Sequence, residues 1–138
     1  MPSLSLHLVN RLDELPRVFA EVELFACRCP LSAPLTQVLQ LCVEEWLANV
    51  ITHGTEGLPD SPIQLDLECG SGRLLLRTRD LGPPFDPLEH LPDPVPLADP
   101  DRMLGGMGII LIKKLMDTVE YRRIDGQNEL TMTKEIRP

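Results

Sequence analysis

Seven of the chain's 14 prolines fall between Leu81 and Leu104, at positions 83, 84, 87, 92, 94, 96 and 100. Proline holds φ near one value and carries no backbone N–H, so neither a helix interior nor a central strand can run through this stretch. Regular structure has to come from the residues on either side. The whole chain of 138 residues, 43% of them hydrophobic, is expected to form a single domain, 1–138. A long irregular segment inside one domain is usually functional, and a proline-rich lid is expected at about 84–104.

Before the prolines, Leu4, Leu6 and Leu8 alternate with polar residues as in a strand. Leu12, Leu15, Val18, Phe19, Val22 and Phe25 follow at helical spacing, with Pro16 placed where a first turn tolerates it. "CPLSAP" breaks the chain, Ser32 can cap a second helix running to about His53, and "GTEGLPDSP" is a loop. "IQLDLECG" and "GRLLLRTRD" read as a hairpin turning at Gly70-Ser71-Gly72. After the prolines, "GGMGIILIKKLMDTV" returns to helix, and "VEYRRID", "GQN" and "ELTMTKEI" form a last hairpin. The order β-α-α-β-β-lid-α-β-β predicts an α/β (α+β) two-layer sandwich, its mostly antiparallel mixed sheet covered on one face by helices.

A formal net charge of −8 argues against direct nucleic-acid binding, which needs basic groups to displace counterions. The same acidity means that any phosphate site must rely on backbone N–H groups and a bound cation. Cysteines at 27, 29, 42 and 69 match neither a paired zinc spacing nor a secreted disulfide framework. Without a signal peptide or a long apolar run, the expected setting is cytoplasmic, with reduced thiols and no membrane contact.

The second helix is polar where its apolar arc should continue. At about 100° per residue, Glu45, Asn49 and His53 stack along the edge of an arc made by Val38, Leu39, Trp46 and Val50. Such a stripe can meet one ligand: an amide oxygen can ligate Mg²⁺ and a carboxylate can take a proton. A solvated Glu, a loop-bonding Asn and a helix-ending His fit it too. "RDLGPPFDP" ends a strand, where Asp80 can accept a bond from an exocyclic amine and Gly82 lets backbone approach a flat ring; an ordinary Asp-x-Gly turn reads the same. Gly105, Gly106 and Gly108 precede an apolar helix, whose N-terminal amides can face phosphate. Their alternative is a hinge; they match neither a P-loop nor a dinucleotide fingerprint.

In this order, E-x-x-x-N-x-x-x-H at 45–53, D-x-G-x-P-F-D-P at 80–87, G-G-x-G-I at 105–109 and the tail "MDTVEYRR…LTMTKEI" resemble the GHKL ATP-binding superfamily. Among its members the likeness is to the anti-sigma factor serine kinases of bacterial partner switching. The resemblance spans nearly the whole chain and implies a Bergerat-type ATP-binding fold. It implies ATP or ADP as ligand with Mg²⁺ held by Asn49, adenine read by Asp80, and a base pocket shaped by Gly82. The box Gly105, Gly106, Met107 and Gly108 would receive the phosphates, Glu45 would be the general base, and His53 would support the nucleotide site. The implied partners are a small anti-sigma antagonist, phosphorylated on serine, and a sigma factor, with a homodimer as the assembly.

Two positions depart from the pattern. Pro84 stands where the superfamily usually has a second glycine, and Gln127-Asn128 where a threonine often lies near the adenine-reading aspartate. A nucleotide-gated binding module without phosphate transfer is the alternative function, and a scaffold without nucleotide is the third.

Overall fold

The computed structural model describes residues 1–89 and 107–136. Two tight turns set the sheet. Strands β2 (Pro62–Gly70) and β3 (Arg73–Asp80) are joined by Ser71 and Gly72, at φ 55° and 73°. Strands β4 (Thr118–Ile124) and β5 (Gln127–Glu135) are joined by Asp125 and Gly126, at φ 52° and 76°. Positive φ at both central residues is the two-residue hairpin geometry that matches strand twist. The second turn corrects the expected reversal at "GQN". Asp-Gly makes it, so Gln127 and Asn128 enter β5, and Asn128 stands opposite Asp80 in the ladder.

With β1 (Ser3–Val9) added, the sheet order is β1-β2-β3-β5-β4, and all four pairings are antiparallel. No parallel pair occurs among the described residues, so the sheet is simpler than the mixed one expected. Strand alternation sorts its faces. Ile63, Leu65, Leu67, Leu74, Leu76, Leu130 and Met132 are buried on one side. The other is polar: Ser5 Oγ donates to Asp66 at 2.7 Å, Arg77 Nε to Thr131 Oγ1 at 3.2 Å, and Arg79 pairs with Glu129 at 2.9 Å. Helices can therefore cover only one face.

Helix α1 (Leu15–Cys27) follows a 3₁₀ turn at Leu12–Glu14 and carries Pro16 in its first turn. Helix α2 (Ala33–Asn49) is capped by Ser32, whose Oγ accepts from Leu35 N at 3.2 Å. Helix α3 spans Met107–Leu115. Val18, Val22 and Phe25 of α1, Leu39, Val43 and Leu47 of α2, and Ile109 and Ile112 of α3 join the sheet's inner residues in one core. The Ser32 cap is worth about 1 kcal/mol. Each fully buried Leu or Phe contributes about 1.5–3 kcal/mol, so the core decides where the helices lie.

The expected continuous helix to His53 is not what forms. The α-helix ends at Asn49, and Val50–Gly54 makes a wider π turn. Thr55 locks it, its N–H and its hydroxyl both donating to the Val50 carbonyl, at 2.9 and 3.0 Å. The following loop is pinned by Asn10, whose Nδ2 donates to the carbonyls of Thr55 and Leu58 while Oδ1 accepts from Ser61 N. All four cysteines are free thiols. The expected lid at about 84–104 is described only as far as Glu89, and Gly105 and Gly106 lie outside the described residues. No helix among the described residues is long and apolar enough to cross a membrane.

Candidate functional site

Asp80 is the last residue of β3 and only 4% exposed. Its Oδ1 accepts from Gly82 N at 2.9 Å and from the Asn128 amide at 3.0 Å. Both bonds end on one oxygen, and Asp80 lines a cavity with Trp46, Asn49, His53 and Phe85. Burial pushes the Asp80 carboxyl above the usual aspartate range, and the Asn128 amide, Gly82 N–H and Arg123 guanidinium offset this only in part. The Trp46 ring forms part of the wall, its indole N–H satisfied by Thr78 Oγ1 at 2.7 Å. The cavity holds about 60 Å³, enough for a few waters. Phe85, 47% exposed, is the most open apolar side chain of the lining described.

Gly82 is required by contact. A Cβ there would stand 2.1 Å from the Gly54 carbonyl oxygen and 2.9 Å from Asp80 Oδ1. The π turn after α2 is thus pressed against the turn after β3, which brings Asn49, His53 and Asp80 to one cavity.

Glu45 lies one turn earlier on α2 and faces another neighbour. Its Oε2 is 3.1 Å from where a Cβ on Gly108 would be, so the carboxylate packs against the second residue of α3. Of the predicted stripe, Asn49 and His53 line the cavity with Asp80, and Glu45 packs against the start of α3. Met107 opens that helix, and Gly108 faces the carboxylate. Asn49 and Glu45 are both partly exposed, and among the described residues neither side chain takes a hydrogen bond or ion pair.

The described residues hold no group of three or more His, Cys, Asp or Glu side chains able to cage a metal ion. One amide oxygen at Asn49 suits a cation held mainly by phosphates and water, which is how Mg²⁺ usually binds. A buried aspartate on the wall of a cavity suits a ligand with an exocyclic amine.

Residues on β4 and β5 complete the base end: Asn128, Tyr121 and Arg123. Arg123 Nη1 donates to the Gly82 carbonyl at 2.8 Å, and the Tyr121 hydroxyl donates to Asn128 Oδ1. The signal for them was the Asp-Gly pair at 125–126. Placing the turn there counts Asn128 into register with Asp80.

The sequence matches the histidine kinase-like ATPase domain family over residues 8–134. It is 35% identical over 118 residues to the serine/threonine-protein kinase BtrW of Bordetella bronchiseptica, which covers 85% of this chain and 82% of that protein. The serine-protein kinase RsbW of Listeria innocua is 29% identical over 115 residues, 80% of this chain and 73% of its own length. An anti-sigma F factor of Halalkalibacterium halodurans is 27% identical over 104 residues, 74% and 71% of the two chains. A crystal structure of the RsbU and RsbW domains of a Mycobacterium tuberculosis protein matches all of this chain with a TM-score of 0.67 at 15% identity. The chain spans 34% of that longer structure, and the likeness is one of fold.

Proposed function

The chain belongs to the histidine kinase-like ATPase domain family as a protein-serine kinase, and from that premise we propose that it uses Mg-ATP to phosphorylate a small anti-sigma antagonist and sequesters a sigma factor. The observation that supports it best is the division of labour along one cleft. Asp80, its Oδ1 already holding two hydrogen bonds, and Asn49 line one cavity, and the Glu45 carboxylate lies one helical turn from Asn49, against the start of α3.

In this reading Asp80 accepts a hydrogen bond from the exocyclic amine of adenine, and Asn49 offers its amide oxygen to the cation on the phosphates. Mg²⁺, when bound, neutralises charge on the transferred phosphoryl group. The substrate serine oxygen forms a bond to the γ-phosphorus as the bond to the ADP oxygen breaks, and Glu45 takes the serine proton. Positioning and charge stabilisation suffice for such a transfer, so these few groups are an adequate set.

Calorimetric titration of the purified chain with ADP and ATP, with and without Mg²⁺, tests the nucleotide part. Saturable, Mg-dependent binding is expected. No heat at millimolar nucleotide would overturn it and leave a partner-binding scaffold. Incorporation of γ-phosphate into a serine of the antagonist then tests the transfer. Nucleotide-controlled exchange of partners without incorporation would make the protein a gated binding module instead.

A further inference from the structure

Asn128 is buried, 7% exposed, and uses both ends of its amide. Nδ2 faces three acceptors: Asp80 Oδ1 at 3.0 Å, the Pro83 carbonyl at 2.9 Å and the Gly82 carbonyl at 3.3 Å. Oδ1 faces two donors, the Tyr121 hydroxyl and the Phe85 N–H, the latter at 3.3 Å. The partners settle which end of the amide is which, because a flipped side chain would set an oxygen against a carboxylate and two carbonyls. A threonine hydroxyl offers one donor, so it can serve Asp80 or the carbonyls but not both. An aspartate offers none at neutral pH.

We propose that Asn128 is the positioning residue of the base site: it turns the Asp80 carboxylate so that Oδ2 faces the base, and it fastens Gly82–Phe85 to β5, so that one side chain sets both base selectivity and the placement of Phe85. The inference rests on the nucleotide-binding reading above and adds the group that controls it. Its chemistry is specific to the base. Adenine presents an amine donor at the position where guanine presents a carbonyl, so a carboxylate oxygen held at that position accepts the first and repels the second. A carboxylate free to swing would lose that discrimination. Losing the amide also takes the donor from the Pro83 carbonyl and one of the two acceptors that the Phe85 N–H faces, the other being the Tyr121 hydroxyl at 3.3 Å, which loosens the Phe85 wall of the cavity.

The test is calorimetric titration of the whole chain with ADP and with GDP, for wild type, Asn128→Ala and Asn128→Thr, beside amide exchange at Gly82 and Phe85 without nucleotide. Wild type should prefer ADP. Asn128→Ala should cut that preference about tenfold or more, the scale of a lost hydrogen bond to a charged group. Mere loss of folded protein would scale both nucleotides alike. Asn128→Thr, the variant to rely on if the alanine does not fold, should keep most of the preference through its hydroxyl while Phe85 exchanges faster. Tyr121→Phe, which removes the other acceptor of the Phe85 N–H, should also speed exchange at Phe85. A folded Asn128→Ala with the wild-type ADP-to-GDP ratio would overturn the proposal, and so would unchanged Phe85 exchange in both the threonine and phenylalanine variants. If wild type binds neither nucleotide, the functional reading fails first and takes this inference with it; if wild type binds and discriminates, only the role of Asn128 is at stake.

Discussion

The two ends of the cleft are built in opposite ways. At the base end, Asp80, Asn128, Tyr121 and Arg123 are tied to one another and to the Gly82–Phe85 backbone by hydrogen bonds. At the other end Glu45 and Asn49 are partly exposed and make no such bonds among the described residues. The Asp80 end thus spends its polar groups on the fold, while the other end, among the described residues, leaves carboxylate and amide capacity uncommitted. Buried polar networks cost stability when partly broken, whereas exposed polar side chains seldom contribute much. Substitutions should therefore move the stability of the folded protein, up or down, more around Gly82 and Asp80 than at Asn49 or Glu45, even where their effect on chemistry grows.

Gly82→Ala should show the largest effect. Its Cβ would meet the Gly54 carbonyl, backbone that cannot retreat without shifting the π turn and the wall carrying Asn49 and His53. Overpacking against fixed atoms lies at the upper end of its range, about 3 kcal/mol. In a chain of this size that lowers Tm by roughly 10 °C. A thermal melt within two or three degrees of wild type would show that the two turns are not pressed together as described.

Asp80→Asn comes next and should split stability from binding. Burial raises the Asp80 pKa, so the folded protein holds this proton more tightly than the unfolded chain does. The charged carboxylate therefore weighs against folding at neutral pH. That penalty falls as pH drops through the raised folded value, and it is gone below the unfolded aspartate range near ~3.9. The Asn variant should melt higher than wild type at pH 7, the gap closing toward pH 4. It should bind ADP less tightly by about 1.5–3 kcal/mol, the worth of a hydrogen bond to a charged group. Equal losses for ADP and GDP would count against Asp80 as the base reader. Wild-type affinity for ADP should weaken on acidification sooner than an ordinary aspartate would allow.

The order of elements and the inner residues were legible because leucine alternation and helical spacing report directly on burial. Glu45, Asn49, Asp80 and Gly82 were legible as polar or small residues at places where a core would be apolar. The π turn was not, since it arises from Thr55 bonding back five residues to Val50 and from Gly54 meeting Gly82, 28 positions further on, and no hydrophobic period encodes either contact. Asn128 looked like a departure that weakened the adenine site. One misplaced turn hid its role: with the reversal at "GQN" it would sit at a hairpin tip, and with the reversal at Asp125-Gly126 it faces Asp80.

Asn49→Ala tests the uncommitted end. Asn49 ends α2, is half-buried and carries no bond to lose among the described residues, and alanine is the better helix former. Stability should change by no more than about 0.5 kcal/mol. Calorimetry should show that Mg²⁺ no longer strengthens ATP binding. A retained Mg²⁺ effect would place the cation elsewhere.

The smallest effect on the fold is expected at Glu45 and its neighbour, and it sharpens the comparison because the same substitution can be made at both ends. Alanine at Gly82 meets backbone; alanine at Gly108 would meet Glu45 Oε2 at 3.1 Å, the tip of a flexible side chain. The carboxylate can swing aside, and replacing a helical glycine gains up to about 1 kcal/mol of helix propensity. Gly108→Ala should therefore fold at least as well as wild type and bind nucleotide, yet displace the base and slow transfer to the antagonist. Glu45→Gln should do the same without moving anything, lowering transfer by about 10²–10⁴, the usual reach of a general base. Single-turnover phosphorylation measured on both variants separates the roles. Wild-type transfer by Glu45→Gln would remove Glu45 from the chemistry. A slow Gly108→Ala beside a fast Glu45→Gln would shift the task to the start of α3, where a methyl group, not a lost carboxylate, does the damage.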